Sequence, residues 1–240
     1  IEKLGYPVTS LTGWQIGMKT NSNYGNARIK SVDTERIQKE LDDRHIVIVA
    51  GFQGINKYDD ITTLGRGGSD TTAVAIAAVM HADLCQIYTD VDGVYTADPR
   101  KVPNAVKMDE ITFDEMLELA SLGAQVLHNR SVEMAKKYNV NLEVVSSLEK
   151  KPGTKVKEAV RMESMLVRGV AKDEDVVRIS VVGVEDRPGI AFQLFSALAK
   201  KKINIDLIIQ SLGSDGKNDI SFTTTKGNLK ETLAVIENLN

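Results

Sequence analysis

Apolar residues follow two different rhythms along this chain, and the change between them divides it. In the first part, short apolar runs closed by glycine or polar turns alternate with helix-spaced stretches. HIVIVAGFQG (His45–Gly54) and LCQIYTDVDG (Leu84–Gly93) are two such runs, and both predict buried strands of a parallel sheet. Between them, Ser69–His81 is apolar without a break from Ala73 to Met80, which predicts a buried helix. Strand, glycine loop, helix, strand is a β-α-β rhythm, so a mainly parallel sheet is expected. TFDEMLELASLG (Thr112–Gly123) puts Phe113, Met116, Leu117 and Ala120 on one helical stripe and ends on a glycine suited to a helix stop. RSVEMAKKYNV reads as another helix and NLEVVSS as the next strand.

The pattern changes between Glu149 and Asp175. EKKPGTKVKEAV is charged and broken by Pro-Gly, and GVAKDEDV is a second polar stretch. A domain boundary is expected there, with a first domain at 1–155, a linker at 156–175 and a second domain at 176–240. Beyond it, VVRISVVGV alternates, with Val177, Ile179 and Val181 on one side. GIAFQLFSALAKK places Ala191, Leu194, Phe195 and Leu198 on a helical stripe. INIDLIIQSL, DISFTTT and NLKETLAVIENL then read as strand, strand and helix. The succession β-α-β-β-α is a ferredoxin-like α+β unit without its last strand.

Composition narrows the picture by exclusion. A net charge of −3 gives no footprint for nucleic acid or a polybasic membrane patch. No run of about 18 apolar residues is present to span a membrane. The single cysteine, Cys85, has apolar neighbours and reads as a small core residue of a protein in a reducing, cytoplasmic setting. His45, His81 and His128 have no ligand spacing to one another or to Cys85, so no metal site is expected from them. Trp14 reads as a packing residue. The opening IEKLGYPVTS lacks a signal peptide's apolar stretch and an initiator methionine, and reads as a helix end, a turn and a strand. The chain is therefore expected to begin within a domain and to stop before its second domain is complete.

Two stretches carry candidate chemistry. In TTLGRGGSD (Thr62–Asp70) glycines allow backbone amides to approach an anion, the helix start adds partial positive charge, and Arg66 adds a planar fork suited to a carboxylate. Asp70, in the first helical turn, is placed to orient a cation or an amine. A plain glycine turn with Ser69 as helix cap accounts for the same letters. No Gly-Lys-Ser/Thr follows, so this is not a Walker A loop. In YTDVDGVYTADPRKVPNA, at the carboxyl end of a predicted strand, Thr89, Asp90, Asp92, Tyr95, Asp98 and Arg100 fall together. Tyr95 is suited to cover a base or ribose and Arg100 to meet a phosphate, while Asp-Gly and Asp-Pro also make ordinary solvated turns.

Taken in order, VAGFQG, TTLGRGGSDTTA, TDVDGVYTADPR, LGAQVLHNRSVEMAKKYNV and PGT resemble the aspartate kinases of the amino-acid kinase family, in the bacterial single-function form with paired ACT regulatory domains. The resemblance covers nearly the whole chain. It implies a three-layer α/β sandwich followed by an ACT domain, and transfer of the γ-phosphoryl group of MgATP to the β-carboxylate of L-aspartate. By position it implies that Arg66 and Asp70 serve catalysis, and that Arg66, Gly67, Gly68 and Ser69 hold the substrate. It implies that Thr89, Asp90, Tyr95, Arg100, Gln125 and Val126 hold ATP. Gln125 stands where relatives commonly carry lysine, and Asn129 replaces their usual proline. The family's opening Lys-x-Gly-Gly-Thr-Ser loop is not in this chain, which implies that these residues alone are nearly inactive.

INIDLIIQ gives the second domain a candidate site. Alternation puts Asn204, Asp206 and Gln210 on one strand face and Ile203, Ile205, Leu207 and Ile209 on the other. The resemblance implies that Asp186, Ile190, Ala191, Asn204, Ile205, Asp206 and Gln210 bind an effector, lysine or threonine or both. It also implies pairing of ACT domains into a homodimer or larger assembly. Two rival readings are another kinase of the same fold, acting on glutamate or a uridine nucleotide, and an amino-acid sensor without catalysis.

Overall fold

The computed structural model describes residues 1–123, 126–158, 169–185, 187–212 and 217–239. It forms two compact units, Ile1–Lys172 and Asp173–Asn240. Much of the predicted linker, residues 159–168, lies outside the described residues.

The first unit opens with a 3-10 turn at Glu2–Leu4 and then β1 (Val8–Leu11), which pairs in parallel with β4 (Ile46–Val49). Helix α1 (Glu35–Asp42) precedes β4. Val47 and Val49 pack toward a cluster of Leu11, Ile16, Met18, Ala27, Ile37 and Leu64. Ile46 and Ile48 turn the other way and are 42% and 44% exposed. The run expected to be a fully buried strand is thus half-buried, because this two-stranded sheet is covered on one face and every second residue leaves the core. Within ELDDRH, where α1 ends, Glu40 is buried. It accepts from Thr9 Oγ1 at 2.7 Å and pairs with His45 Nδ1 and Arg36 Nη2, each at 2.7 Å.

The run also breaks after Val49. Phe52 adopts a left-handed φ of 71°, and β5 (Gln53–Ile55) enters a different sheet. That sheet has the order β3-β2-β5-β6, with β2 at Lys19–Thr20, β3 at Ile29–Ser31 and β6 at Ile61–Thr63. Trp14, expected to pack, is 64% exposed and lines an open cavity with Gln15 and Arg36.

A second four-stranded sheet has the order β7-β9-β10-β8, with β7 at Cys85–Thr89, β8 at Glu110–Thr112, β9 at Leu142–Ser146 and β10 at Thr154–Lys157. β7 and β9 are parallel, β8 and β10 are parallel, and β9 and β10 are antiparallel. The sheet is mixed because the short connection from Ser146 to Thr154 permits only an antiparallel return.

Helix α2 (Gly68–Val79) lies between two cores. Val74 and Ala77 join a cluster with Cys85, Ile87, Phe113, Met116 and Val144, while Ile76 packs on the α1 cluster. Burial on both sides explains why the helix has so little polar surface. Helix α3 (Phe113–Ser121) starts with a complete capping box between Thr112 and Glu115, which contributes about 1 kcal/mol. Helix α4 (Asn129–Tyr138) ends at Asn139 in the left-handed region. Cys85 is buried, and burial pushes its thiol up to about 11, as suits an inert core residue.

The second unit contains β11 (Val176–Glu185), α5 (Ile190–Lys200), β12 (Ile208–Leu212), β13 (Lys217–Thr225) and α6 (Leu229–Glu237). Its antiparallel sheet has the order β11-β13-β12. Ile179, Leu194, Leu198, Ile203, Ile220 and Phe222 form its core, with Phe195 edge-on to Phe222 at 5.6 Å. A bulge between Val181 and Val184 shifts the inward face of β11. The alternation expected in INIDLIIQ holds at Ile203 and Ile205 but fails beyond, where Leu207 and Ile209 are 53% and 48% exposed. The strand begins only at Ile208 and lies at the edge of its sheet, and the consecutive residues Ile208 and Ile209 are both exposed, so neither of its faces is fully covered and the pattern of apolar letters does not mark an inward side.

Candidate active site

The glycine stretch links β6 to α2. Leu64 is fully buried and its N–H donates to the Phe52 carbonyl at 2.9 Å. Gly65 and Gly67 take left-handed φ values of 77° and 67°. Space demands glycine as well. A Cβ on Gly65 would sit 2.9 Å from Asn26 Oδ1, and one on Gly67 would overlap the His128 side chain. The loop is therefore held between the 21–28 segment and the start of α4. Gly67 is the helix cap, no side chain caps α2, and Ser69 lies inside the first turn rather than before it. Hydroxyls anchor that turn instead. Thr71 Oγ1 donates to Gly67 O at 2.9 Å, Thr72 Oγ1 donates to Gly68 O at 2.7 Å, and Thr72 accepts from Phe52 N at 3.0 Å.

Arg66 is exposed at the edge of a 480 Å³ cavity whose lining includes Asn26, Arg28, His128, Arg130 and Glu133. Three guanidinium groups meet one carboxylate here, and among the described residues none of the three forms an ion pair. Such an excess of planar cations favours an anion, above all a carboxylate.

Asp70 and His128 meet behind this loop. Burial pushes the Asp70 carboxyl above its ordinary range, and the His128 backbone N–H and the Ser69 hydroxyl, the latter at 3.4 Å, partly offset it. Burial lowers the His128 pKa, and its neutral ring caps α4, accepting from Arg130 N at 3.3 Å. A carboxylate held against its own burial makes Asp70 a candidate functional position. Asp70→Asn is expected to raise the thermal midpoint of the first unit by a few degrees at pH 7 while abolishing activity. The sign follows from the raised pKa: ionised Asp70 detracts from stability above its folded pKa, and the gain from Asn fades as pH falls through that value toward 3.8. Thermal unfolding of both proteins from pH 7 to pH 4 checks this.

The second stretch forms a braced turn after β7. Thr89 is half-buried, its hydroxyl donates to Asp90 at 3.1 Å, and its carbonyl accepts from Ser147 N at 2.8 Å. The Tyr95 hydroxyl donates to Asp92 at 2.8 Å, which raises its pKa. Exposed Arg100 engages Asp98 through Nε at 3.0 Å and Nη2 at 3.2 Å, leaving Nη1 outside that pairing. Val126 is half-buried against the core, and Gln125 lies outside the described residues. Two residues not singled out from the sequence brace the turn. Buried Thr154 accepts from Val94 N at 2.8 Å and donates to Met108 O at 2.6 Å. Lys107 donates to Pro152 O at 2.7 Å and lies 3.8 Å from Asp92. PGT, quoted above as a motif, was the one signal for Thr154; Arg28 had none.

In the second unit Asn204 donates to Asp206 at 2.6 Å, and both are exposed, as is Gln210. Ile190 and Ala191 open α5, and Ala191 and Ile205 each pack against the core. Asp186 lies outside the described residues.

Comparison with known proteins agrees with both units. The pattern of the amino acid kinase family matches residues 1–146, and that of the ACT domain matches residues 177–240. An aspartokinase of Bacillus sp. (strain MGA3) is 51% identical over 239 residues, covering 99% of this chain and 58% of that protein. E. coli aspartokinase III crystallised with aspartate and ADP in the R-state superposes with a TM-score of 0.82 at 29% identity, over 94% of this chain and 50% of that one. The same enzyme with lysine and aspartate, in the T-state, gives 0.72 at 31% identity, over 95% and 54%. The chain thus spans somewhat over half the length of the curated relatives it matches. With a glycine loop, a cation-lined cavity and this sheet order in its first unit, the chain belongs to the amino acid kinase family and carries an ACT domain in its second unit.

Proposed function

We propose that the protein is a cytoplasmic aspartate kinase, transferring the γ-phosphoryl group of ATP to the β-carboxylate of L-aspartate, under feedback by lysine, threonine or both. The carrying observation is the Arg66 cavity, with three guanidinium groups and no ion pair among the described residues. Arg66 binds one carboxylate of the acceptor through its fork. Ser69 and Asp70 complete that end, and an ammonium group of the substrate offsets the burial of the Asp70 carboxylate. Thr89, Asp90, Tyr95 and Arg100, with Gln125 and Val126, hold the nucleotide. The hydroxyl, carboxylates and lysine of the braced turn suit a ribose and a phosphate chain. Magnesium would arrive with the nucleotide, coordinated largely by phosphate and water. In the transfer, an oxygen of the β-carboxylate bonds to the γ-phosphorus as the bond to ADP breaks, and the protein contributes positioning and charge.

Similarity to an enzyme crystallised with lysine supports the effector reading, with Asp186, Ile190, Ala191, Asn204, Ile205, Asp206 and Gln210 as its residues and a homodimer or larger assembly as its setting. Among the described residues no helix is long and apolar enough to cross a membrane. The test is ATP-dependent formation of an acyl phosphate by the full-length protein, trapped with hydroxylamine. A product that requires L-aspartate is expected. A product formed with L-glutamate or a nucleoside monophosphate instead would overturn the reading.

A further inference from the structure

We propose that Arg130 is a positioning residue for the acceptor end of the site, locking the 21–28 segment onto the root of the glycine loop; this rests on the acceptor reading of the Arg66 cavity. One guanidinium joins three separate segments. Nη1 donates to the Leu64 carbonyl at 2.8 Å and to Asn26 Oδ1 at 3.4 Å, and Nη2 donates to the Ala27 carbonyl at 2.6 Å. Leu64 and Ala27 are both fully buried in the α1 cluster, so the two carbonyls are fixed targets. Leu64 is two residues before Arg66, and Ala27 adjoins Arg28, so the fork sets the spacing of the two other cavity arginines.

The partners of Arg130 are neutral oxygens, and its charge is not cancelled. Glu133, one turn along α4, lines the same cavity without forming an ion pair to it. Burial and the nearby Arg28 charge weigh against the cation, and the Glu133 charge offsets them only in part. A purely structural tie would be served by neutral donors. Keeping a charge here adds to the field that an acceptor carboxylate meets, while the planar fork reaches acceptors on two sides at once. Lysine, with one nitrogen, retains the charge but not the geometry.

The experiment is steady-state kinetics on full-length Arg130→Lys, Arg130→Met and Arg66→Lys, varying L-aspartate and ATP separately, with thermal unfolding of each. A displacement of about 1 Å at the reacting end costs about 100-fold. Arg130→Met is expected to lose about that factor in kcat/KM for aspartate, and Arg130→Lys about 10-fold, with the KM for ATP unchanged in both. Arg130→Lys keeps the test valid should the methionine variant fail to fold. Unchanged aspartate kinetics in Arg130→Lys, beside a damaged Arg66→Lys, would overturn the positioning role and leave the acceptor reading standing. Equal losses toward aspartate and ATP with a lowered unfolding midpoint would also overturn it, as a general scaffold effect. An Arg66→Lys variant with normal aspartate KM would overturn the acceptor reading itself.

Discussion

Replacing Arg66 by alanine is expected to lower kcat/KM for L-aspartate by at least about 100-fold and leave the KM for ATP near its original value. A charge-assisted hydrogen bond contributes about 1.5–3 kcal/mol, and a guanidinium on a carboxylate makes two in parallel. About 2.7 kcal/mol corresponds to 100-fold. Lysine restores the charge but not the fork, so Arg66→Lys should recover part of the loss. Isolation makes the residue sensitive: Arg66 is exposed, has no ion pair among the described residues, and stands between two left-handed glycines. Its side chain is exposed at the cavity edge, while its backbone is fixed by neighbours that pack. Initial-rate measurements over a range of aspartate concentrations decide this. An alanine variant with unaltered aspartate kinetics would place the acceptor elsewhere.

The second large effect is on stability. Gly67→Ala is expected to destabilise the first unit by about 3 kcal/mol. Of this, about 1–2 kcal/mol comes from alanine in the left-handed region, and about 1–3 kcal/mol from crowding against His128. Gly189→Ala in the second unit supplies the control. Gly189 has a comparable φ of 91° but no atom within 4 Å of a new Cβ, so only the backbone part applies. Thermal unfolding should show a clearly larger drop for Gly67→Ala. Equal drops would mean that His128 gives way freely and that the loop is not clamped by α4. Because His128 caps α4 and lowers the Asp70 pKa, the same change should also raise the KM for aspartate.

Several elements were legible because their signals are local. The stripe of Phe113, Met116, Leu117 and Ala120 became α3, with the first two buried. The stripe of Ala191, Leu194, Phe195 and Leu198 became the inner face of α5. The glycine loop was legible because positive φ at a helix start leaves few choices of residue. Misreadings arose where neighbours decide. An apolar run such as Ile46–Val49 does not state how many of its faces are covered. Trp14 reads as a packing residue by its type, yet its place in a surface loop leaves it exposed.

By itself, then, the sequence determined the order and type of most elements, a change of rhythm between Glu149 and Asp175, and the two stretches that carry candidate chemistry. Periodicity and turn residues act over a few positions, and that is the range over which a sequence can be read directly. The tertiary structure alone decided which distant residues join those stretches. Arg130 reaches carbonyls 66 and 103 positions away. Thr154 holds Val94 from 60 positions away, and His128 fills the space that Gly67 leaves open. These contacts come from chain crossings set by the packing of α2, α4 and the sheets, and a cation that bonds to carbonyl oxygens leaves no paired letter in the sequence to announce it.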